Sequence, residues 1–378
     1  MFRMINNWRP ACWVFGLSLA VFRVSVAADH SGPVIVKAEL GKATMDMNSH
    51  GDVWDSSWAD DGLLYVSSDD TQGFGKHPSR NLKFHVLKGD SPDTLVGTTV
   101  NHMDEYHKPR RGPDGNMWKA NGNICVDGNL YMFVSRHGLN FNTRQTAENS
   151  SLIMSTDKGL TWRRSAKENY DHPMLPGPRF GSPMFIKYGQ DGQADVHNAD
   201  KYVYALANNG FWENGDDMIL ARALKSRMAK LDPQDWQFFT GGDGMSDANW
   251  SSKMQQAKPV LVAPGKCSMA GAQYIAPLKR YLMIQWYYTT GTGHKAPKDT
   301  TWVYYESATP WGPWREFQTQ RFRTEGYYNP CIVSKFISAD GLNLMIFTNG
   351  NFFTAREKGE KCIYRLTKIP CALMLGNP

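Results

Sequence analysis

Five times along the chain a short apolar strand pattern follows a turn-forming break, and a second strand pattern follows it. The apolar segments are LLYVSS (63–68), LYMFVS (130–135), YVYALAN (202–208), YLMIQWYY (281–288) and LNLMIFTNG (342–350). The breaks before them are DDG, DGN, the longer GQDGQADVHNADK, PLKR and SADG. Asp-Gly and Asn/Gly pairs supply the positive φ that hairpins need. The partner strands are read at NLKFHVLKG (81–89), SSLIMSTDKG (150–159), DMILARAL (217–224), TWVYYESA (301–308) and KCIYRL (361–366). Helical periodicity is confined to one short turn within 221–236. Uneven spacing marks a repeat of structure rather than of sequence. The pattern predicts an all-β fold: a five-bladed β-propeller with about four antiparallel strands per blade.

No linker divides the chain, so residues 29–378 are expected to form one propeller domain, after a signal peptide at 1–28. Arg3 and Arg9 precede the apolar run ACWVFGLSLAVF (11–22), and SVAAD (25–29) offers small residues for cleavage. Export or a periplasmic location follows, with an uncleaved anchor as the alternative. No later segment is apolar enough to cross a membrane. Losing Arg3, Arg9 and Arg23 lowers the formal charge from +6 to +3. With no basic stripe, this excludes a nucleic-acid partner. Cys125, Cys267, Cys331, Cys362 and Cys371 are too few and odd in number for a disulfide framework; Cys362–Cys371 is the one conceivable bridge. Asp191, Asp195, His197 and Asp200 fit no metal-ligand spacing, and neither metal nor cofactor is expected. Ser155, Asp157, Gly159, Thr161 and Trp162 follow the Asp-box pattern of sialidase-like propellers, a turn staple rather than a catalytic element.

Blade topology sorts the acidic residues. The turn between first and second strands lies at one end, so Asp60 and Asp61 are turn formers. Asp52, read ahead of the first strand, and Asp69 and Asp70, read after the second, return to the other end beside the axis. Two carboxylates there suit glycoside hydrolysis, provided their surroundings push their pKa values apart. The same end gathers His102, Glu105, His107, Arg136, His137, Asn208, Trp212, Glu213, Tyr287, Glu325, Tyr328, Asn329 and Asn349. This mixture of amides, rings and charged groups fits a polyhydroxylated ligand.

SSWADDGLLYV, PVLVAPGKCSMAGAQYIAPLKRYLM (259–283), ESATPWGPW (306–314) and YYNPCIVSKFISADGLNLMIF (327–347) resemble a bacterial family first described as a domain of unknown function and later recognised as endo-D-arabinanases. The resemblance spans roughly 45 to 370. It implies a five-bladed propeller hydrolysing arabinofuranosyl linkages with an aspartate pair in the first blade, which falls on Asp52 and Asp70. A Trp-Gly-Asp-Gly-like end to the second strand is replaced here by SSDDTQG, so Asp69 and Asp70 remain alternatives.

The expected protein is a secreted, monomeric glycoside hydrolase acting on a polysaccharide. Asp70 (or Asp69) would be nucleophile or base and Asp52 the acid, with Glu213 and Glu325 as alternative acids. Arg136, His137, Asn208, Trp212, Tyr287, Tyr328, Asn329 and Asn349 would bind the sugar. The rivals are a non-catalytic carbohydrate-binding propeller and a sialidase-like enzyme using Arg136, Arg179 and Arg323.

Overall fold

The computed structural model describes residues 32–139, 143–165, 172–194, 201–289, 299–351 and 363–377. Its strands form five antiparallel arrays. Array one runs Ser49–Trp58, Leu64–Phe74, Arg80–Lys88, Val96–Asn101. Array two runs Met117–Val126, Asn129–Gly138, Thr146–Ser155, Arg163–Arg164. Array three starts Met184–Lys187, Tyr202–Asn208, Gly215–Leu224, Trp236–Phe239. Array four runs Ala272–Ile275, Arg280–Tyr288, Thr300–Ser307, Arg315–Phe322. Array five holds Tyr328–Ile332, Asn343–Asn349, Thr367–Gly376 and, at its outer edge, the N-terminal Val34–Leu40. Arrays three and four join through a short parallel contact between Met184–Lys187 and Ala272–Ile275.

The strands hold because each array presents apolar side chains to both neighbours. Tyr65, Leu82 and Phe84 of array one meet Trp118, Leu130 and Met132 of array two. Further apolar layers fill between arrays two and three, three and four, and four and five. A fifth layer, with Trp54, Leu64 and Val66 against Val333, Met345 and Phe347, packs array five onto array one. The first strands of arrays one to four lie next to one another in that order, and Tyr328–Ile332 of array five lies against Ser49–Trp58 of array one. Among the described residues no helix is long and apolar enough to cross a membrane. Among the described residues helix is limited to short turns such as Lys225–Met228.

Two sequence readings change. The last partner strand is not KCIYRL but Thr367–Gly376. Residues 361 and 362 lie outside the described residues, and 363–366 form a bend whose Arg365 guanidinium bonds the carbonyls of Met47 and Ser49. Within this strand the Pro370 carbonyl accepts from Gly41 N at 2.8 Å. Asp52, Asp69 and Asp70 also lie inside strands rather than beyond their ends. Cys125, Cys267, Cys331 and Cys371 are buried free thiols, and the conceivable Cys362–Cys371 bridge involves a residue outside the described ones.

The turn at 155–162 is fastened by its own side chains. Ser155 Oγ accepts from Gly159 N at 2.8 Å, and Asp157 Oδ1 accepts from Thr161 N at 2.9 Å. Trp162 meets Phe84 of array one edge-on.

Candidate active site

Asp52 and Asp69 pair in register across the first hairpin of array one. A regular strand would turn Asp69 and Asp70 to opposite faces. Left-handed backbone at Asp70 (φ 40°) breaks that alternation. Both carboxylates consequently engage array two: Asp69 Oδ1 accepts from Ala120 N at 2.9 Å, and Asp70 Oδ1 lies 2.6 Å from Lys119 Nζ. A second left-handed residue, Val53 (φ 53°), sits beside Asp52, where the register also shifts. Its N–H donates to Asn349 Oδ1 at 3.1 Å. Non-glycine residues in this region cost about 1 to 3 kcal/mol each, and such strain gathers at working sites.

Asp52 and Asp69 are buried, whereas 43% of the Asp70 side chain is exposed. Tyr328 donates its hydroxyl to Asp52 Oδ2 at 2.6 Å. Burial, then the charge of Asp70, pushes the Asp52 carboxyl up to about 7; Lys119 and the Tyr328 and Tyr364 phenols oppose the shift. Burial likewise holds Asp69 well above the usual carboxylate range, against the pull of Lys119. Asp69 Oδ2 has no hydrogen-bond partner among the described residues. Burial disfavours the Lys119 ammonium, but Asp70, Asp69 and Asp52 outweigh it, and its pKa is raised. One buried ammonium thus faces three carboxylates. A carboxyl that keeps its proton near neutrality can serve as a general acid, beside a carboxylate that reaches solvent.

Glu213, buried between the second and third strands of array three, accepts from Gln145 N at 3.1 Å. It shares a neighbour with Asp52: burial and then the charges of Glu213 and Asp52 drive the Tyr288 phenol well above its ordinary value. Trp212 meets Tyr328 edge-on and stacks on His137. Asp52, Asp69, Asp70, Glu213, His137, Trp212 and Tyr328 are thereby gathered around the axial end of array one.

The other sequence-predicted residues are placed as follows. Arg136 is buried in a two-pronged pair with Asp114, at 2.9 and 2.7 Å, and lies over the Trp118 ring. Asn208 organises its own loop, donating to the carbonyls of Phe211 and Cys267 and accepting from Gly210 and Phe211 N. Asn349 supports the backbone beside Asp52. Tyr287 packs between arrays three and four. Glu325 is a half-buried loop residue whose carbonyl accepts from Asn351 N at 2.9 Å. Asn329 is buried with both amide atoms unpartnered among the described residues, lining a small cavity with Val53 and Asp55. For the sialidase-like rival, Arg179 is paired to Asp217 as Arg136 is to Asp114.

Sequence reasoning missed Lys119, Tyr364, Asp55 and Lys187. Asp55 and Lys187, both buried, pair at 2.5 Å on the axis. Their signal was available: a charge inside an apolar run, as in MWKAN or MFIKY, must find a counter-charge if the strand is buried.

Residues 98–349 match the model of the domain of unknown function DUF4185. The chain belongs to that family. The DUF4185 match includes Lys119, Glu213 and Tyr328 and begins after the strands that carry Asp52, Asp69 and Asp70. No protein of curated function matches the sequence. Among solved structures, this DUF4185 chain is similar to a candidate hydrolase of Bacteroides ovatus ATCC 8483, with 16% identity over 85% of each chain and a TM-score of 0.50. An inulosucrase of Halalkalicoccus jeotgali bound to kestose gives 13% identity, 93% and 91% coverage and a TM-score of 0.49. A Cellvibrio cellulosa alpha-L-arabinanase complexed with arabinohexaose gives 10%, 89% and 91%, and 0.46. At these identities the likeness speaks to fold alone.

Proposed function

We propose that the protein is an exported glycoside hydrolase, built as a closed five-bladed propeller, that cleaves arabinofuranosyl or closely related linkages in a polysaccharide. The observation carrying this reading is the unequal carboxylate set: Asp52 buried with its pKa raised to about 7, and Asp70 solvent-facing on Lys119. Asp52 would hand its proton to the leaving glycosidic oxygen. Asp70 would supply the negative charge at the anomeric side, as nucleophile or as base to a water. Lys119 anchors Asp70, and Tyr328 fixes the orientation of Asp52. The five apolar layers around one axis support ring closure, and the basic, apolar, small-residue order of residues 1–28 supports export. The furanoside substrate rests on the family resemblance in WADDG and YYNPCIVSKFISADG.

The test is a product assay of the protein without residues 1–28 on arabinans, arabinogalactan and other plant, algal and bacterial polysaccharides. Release of arabinose-containing oligosaccharides is the expected result. Binding without release of any fragment from any member would contradict the hydrolase reading.

A further inference from the structure

Array one is electrically lopsided. At the end away from Asp70, its turns carry Asp60, Asp61, Asp90 and Asp93, and ammonium groups of Lys158 and Lys335 pair with Asp60 and Asp90. At the Asp70 end the sign reverses. Lys76 lies in the loop between the second and third strands, and Lys108, Arg110 and Arg111 follow the fourth. Among the described residues none of these four has a salt-bridge partner and all four are exposed; of the acidic residues in the same segment, Asp104 pairs with Arg80, Asp114 pairs with Arg136, and Glu105 is exposed, leaving an excess of positive charge. Arg80 is opposite Thr71 in the sheet register, one residue from Asp70.

The segment bearing the cations is pinned in place. Asn81 Nδ2 donates to the carbonyls of Tyr106 at 3.0 Å and Arg110 at 3.1 Å, and the Arg111 guanidinium donates to Gly115 O at 3.0 Å. His102 and His107 register the positive field. Burial lowers both, and Lys83 and His77 lower the first further, as Arg80 and Arg110 do the second.

We propose that this rim receives a negatively charged substituent carried by the polysaccharide a few sugars from the bond that is cut. The position relative to the cut rests on the hydrolase reading above; the charge preference does not. A neutral glycan would leave the excess positive charge offset only in part by Glu105, whereas a carboxylate or phosphate ester satisfies it through charge-assisted contacts. Both groups share that chemistry, and the assay separates them.

Binding is measured by calorimetry with three oligosaccharides of equal length: neutral, uronate-bearing and phosphate-bearing. The wild type is compared with the triple variant K108Q/R110Q/R111Q, whose melting temperature verifies folding. At low salt at least one charged oligosaccharide is expected to bind about tenfold more tightly than the neutral one, since exposed ion pairs contribute modestly each. The preference is expected to vanish in the triple variant and in about 0.5 M salt. Whichever charged member wins identifies the substituent. Equal binding of all three, or a preference surviving in the triple variant, would overturn the proposal. Cleavage without charge preference would refute the rim and leave the hydrolase standing. Charge preference with no cleavage of any glycan would do the reverse.

Discussion

Asp52 and Asp55 are three residues apart on one strand and both are buried, with the left-handed residue Val53 between them. Their surroundings differ in charge balance. Asp55 meets a single ammonium, Lys187 at 2.5 Å, and accepts from Asn123 N at 2.7 Å. Burial disfavours the Lys187 ammonium, yet Asp55 and then Cys331 keep its pKa raised. One negative charge is matched by one positive charge, with hydrogen bonds to spare. Asp52 belongs to a set of three carboxylates facing Lys119 alone, and its pKa is pushed up to about 7. An unbalanced set must keep a proton somewhere, and that proton is available for chemistry. The first arrangement ties array one to array three; the second is the one proposed above for catalysis.

The sharpest way to break this comparison is to unbalance the balanced pair. Lys187→Met leaves Asp55 buried without its counter-charge and is expected to destabilise the fold by about 3 to 5 kcal/mol, read as a shift in the urea midpoint at unchanged slope. The double variant Asp55→Leu with Lys187→Met is expected to recover most of the loss. A Lys187→Met protein as stable as the wild type would mean that Asp55 has another partner.

Next comes the pH dependence of stability. The folded pKa of Asp52 lies above its unfolded value of about 4. Its contribution to stability is therefore complete below about pH 4 and is lost as pH rises through about 7. Asp69 acts in the same direction. Between those limits one such group gives a slope of up to about 1.4 kcal/mol per pH unit. Asp52→Asn is expected to flatten the stability profile between pH 5 and 7 by about that slope, measured by denaturant titrations across the range. An unchanged profile would place the ordinary carboxylate pKa at Asp52.

Lys119→Met sharpens the comparison from the other side. Removing the ammonium that opposes the upward shift raises the Asp52 pKa further. If Asp52 is the acid, the alkaline limb of the pH–activity profile moves to higher pH, by about one unit. An upward shift of the acidic limb instead would argue that Asp52 works ionised. Tyr328→Phe is the mildest change. It removes one hydrogen bond to Asp52 and is expected to lower turnover about three- to tenfold, with the alkaline limb again moving upward.

Much of this was legible in the sequence. Hairpin turns such as DDG before LLYVSS, and the five repeats of that order, gave the arrays. The hairpin also brought Asp52, Asp69 and Asp70 to one end. What escaped was set by long-range contact. Lys119 and Lys187 sit in apolar strands of arrays two and three, and only the packing of arrays around the axis reveals that they face Asp70 and Asp55. Arg136 and Asn208 looked like sugar ligands because polar residues at loop ends resemble one another in sequence. Asp114, and the carbonyls of Phe211 and Cys267, claim them in the fold. The last strand was missed because KCIYRL was read in its place; Thr367–Gly376 is fixed by long-range pairing with Asn343–Asn349 on one side and with Val34–Leu40 and Thr44–Met45 on the other.

The central claim is that the unbalanced carboxylates perform hydrolysis. It is tested most directly by steady-state turnover of Asp52→Asn and Asp70→Asn on the polysaccharide that the wild type cleaves, with circular dichroism to verify the fold. Each variant is expected to lose about a hundredfold or more in kcat while remaining folded. Folded variants that both retain wild-type turnover would contradict the claim and return the three aspartates to the scaffold.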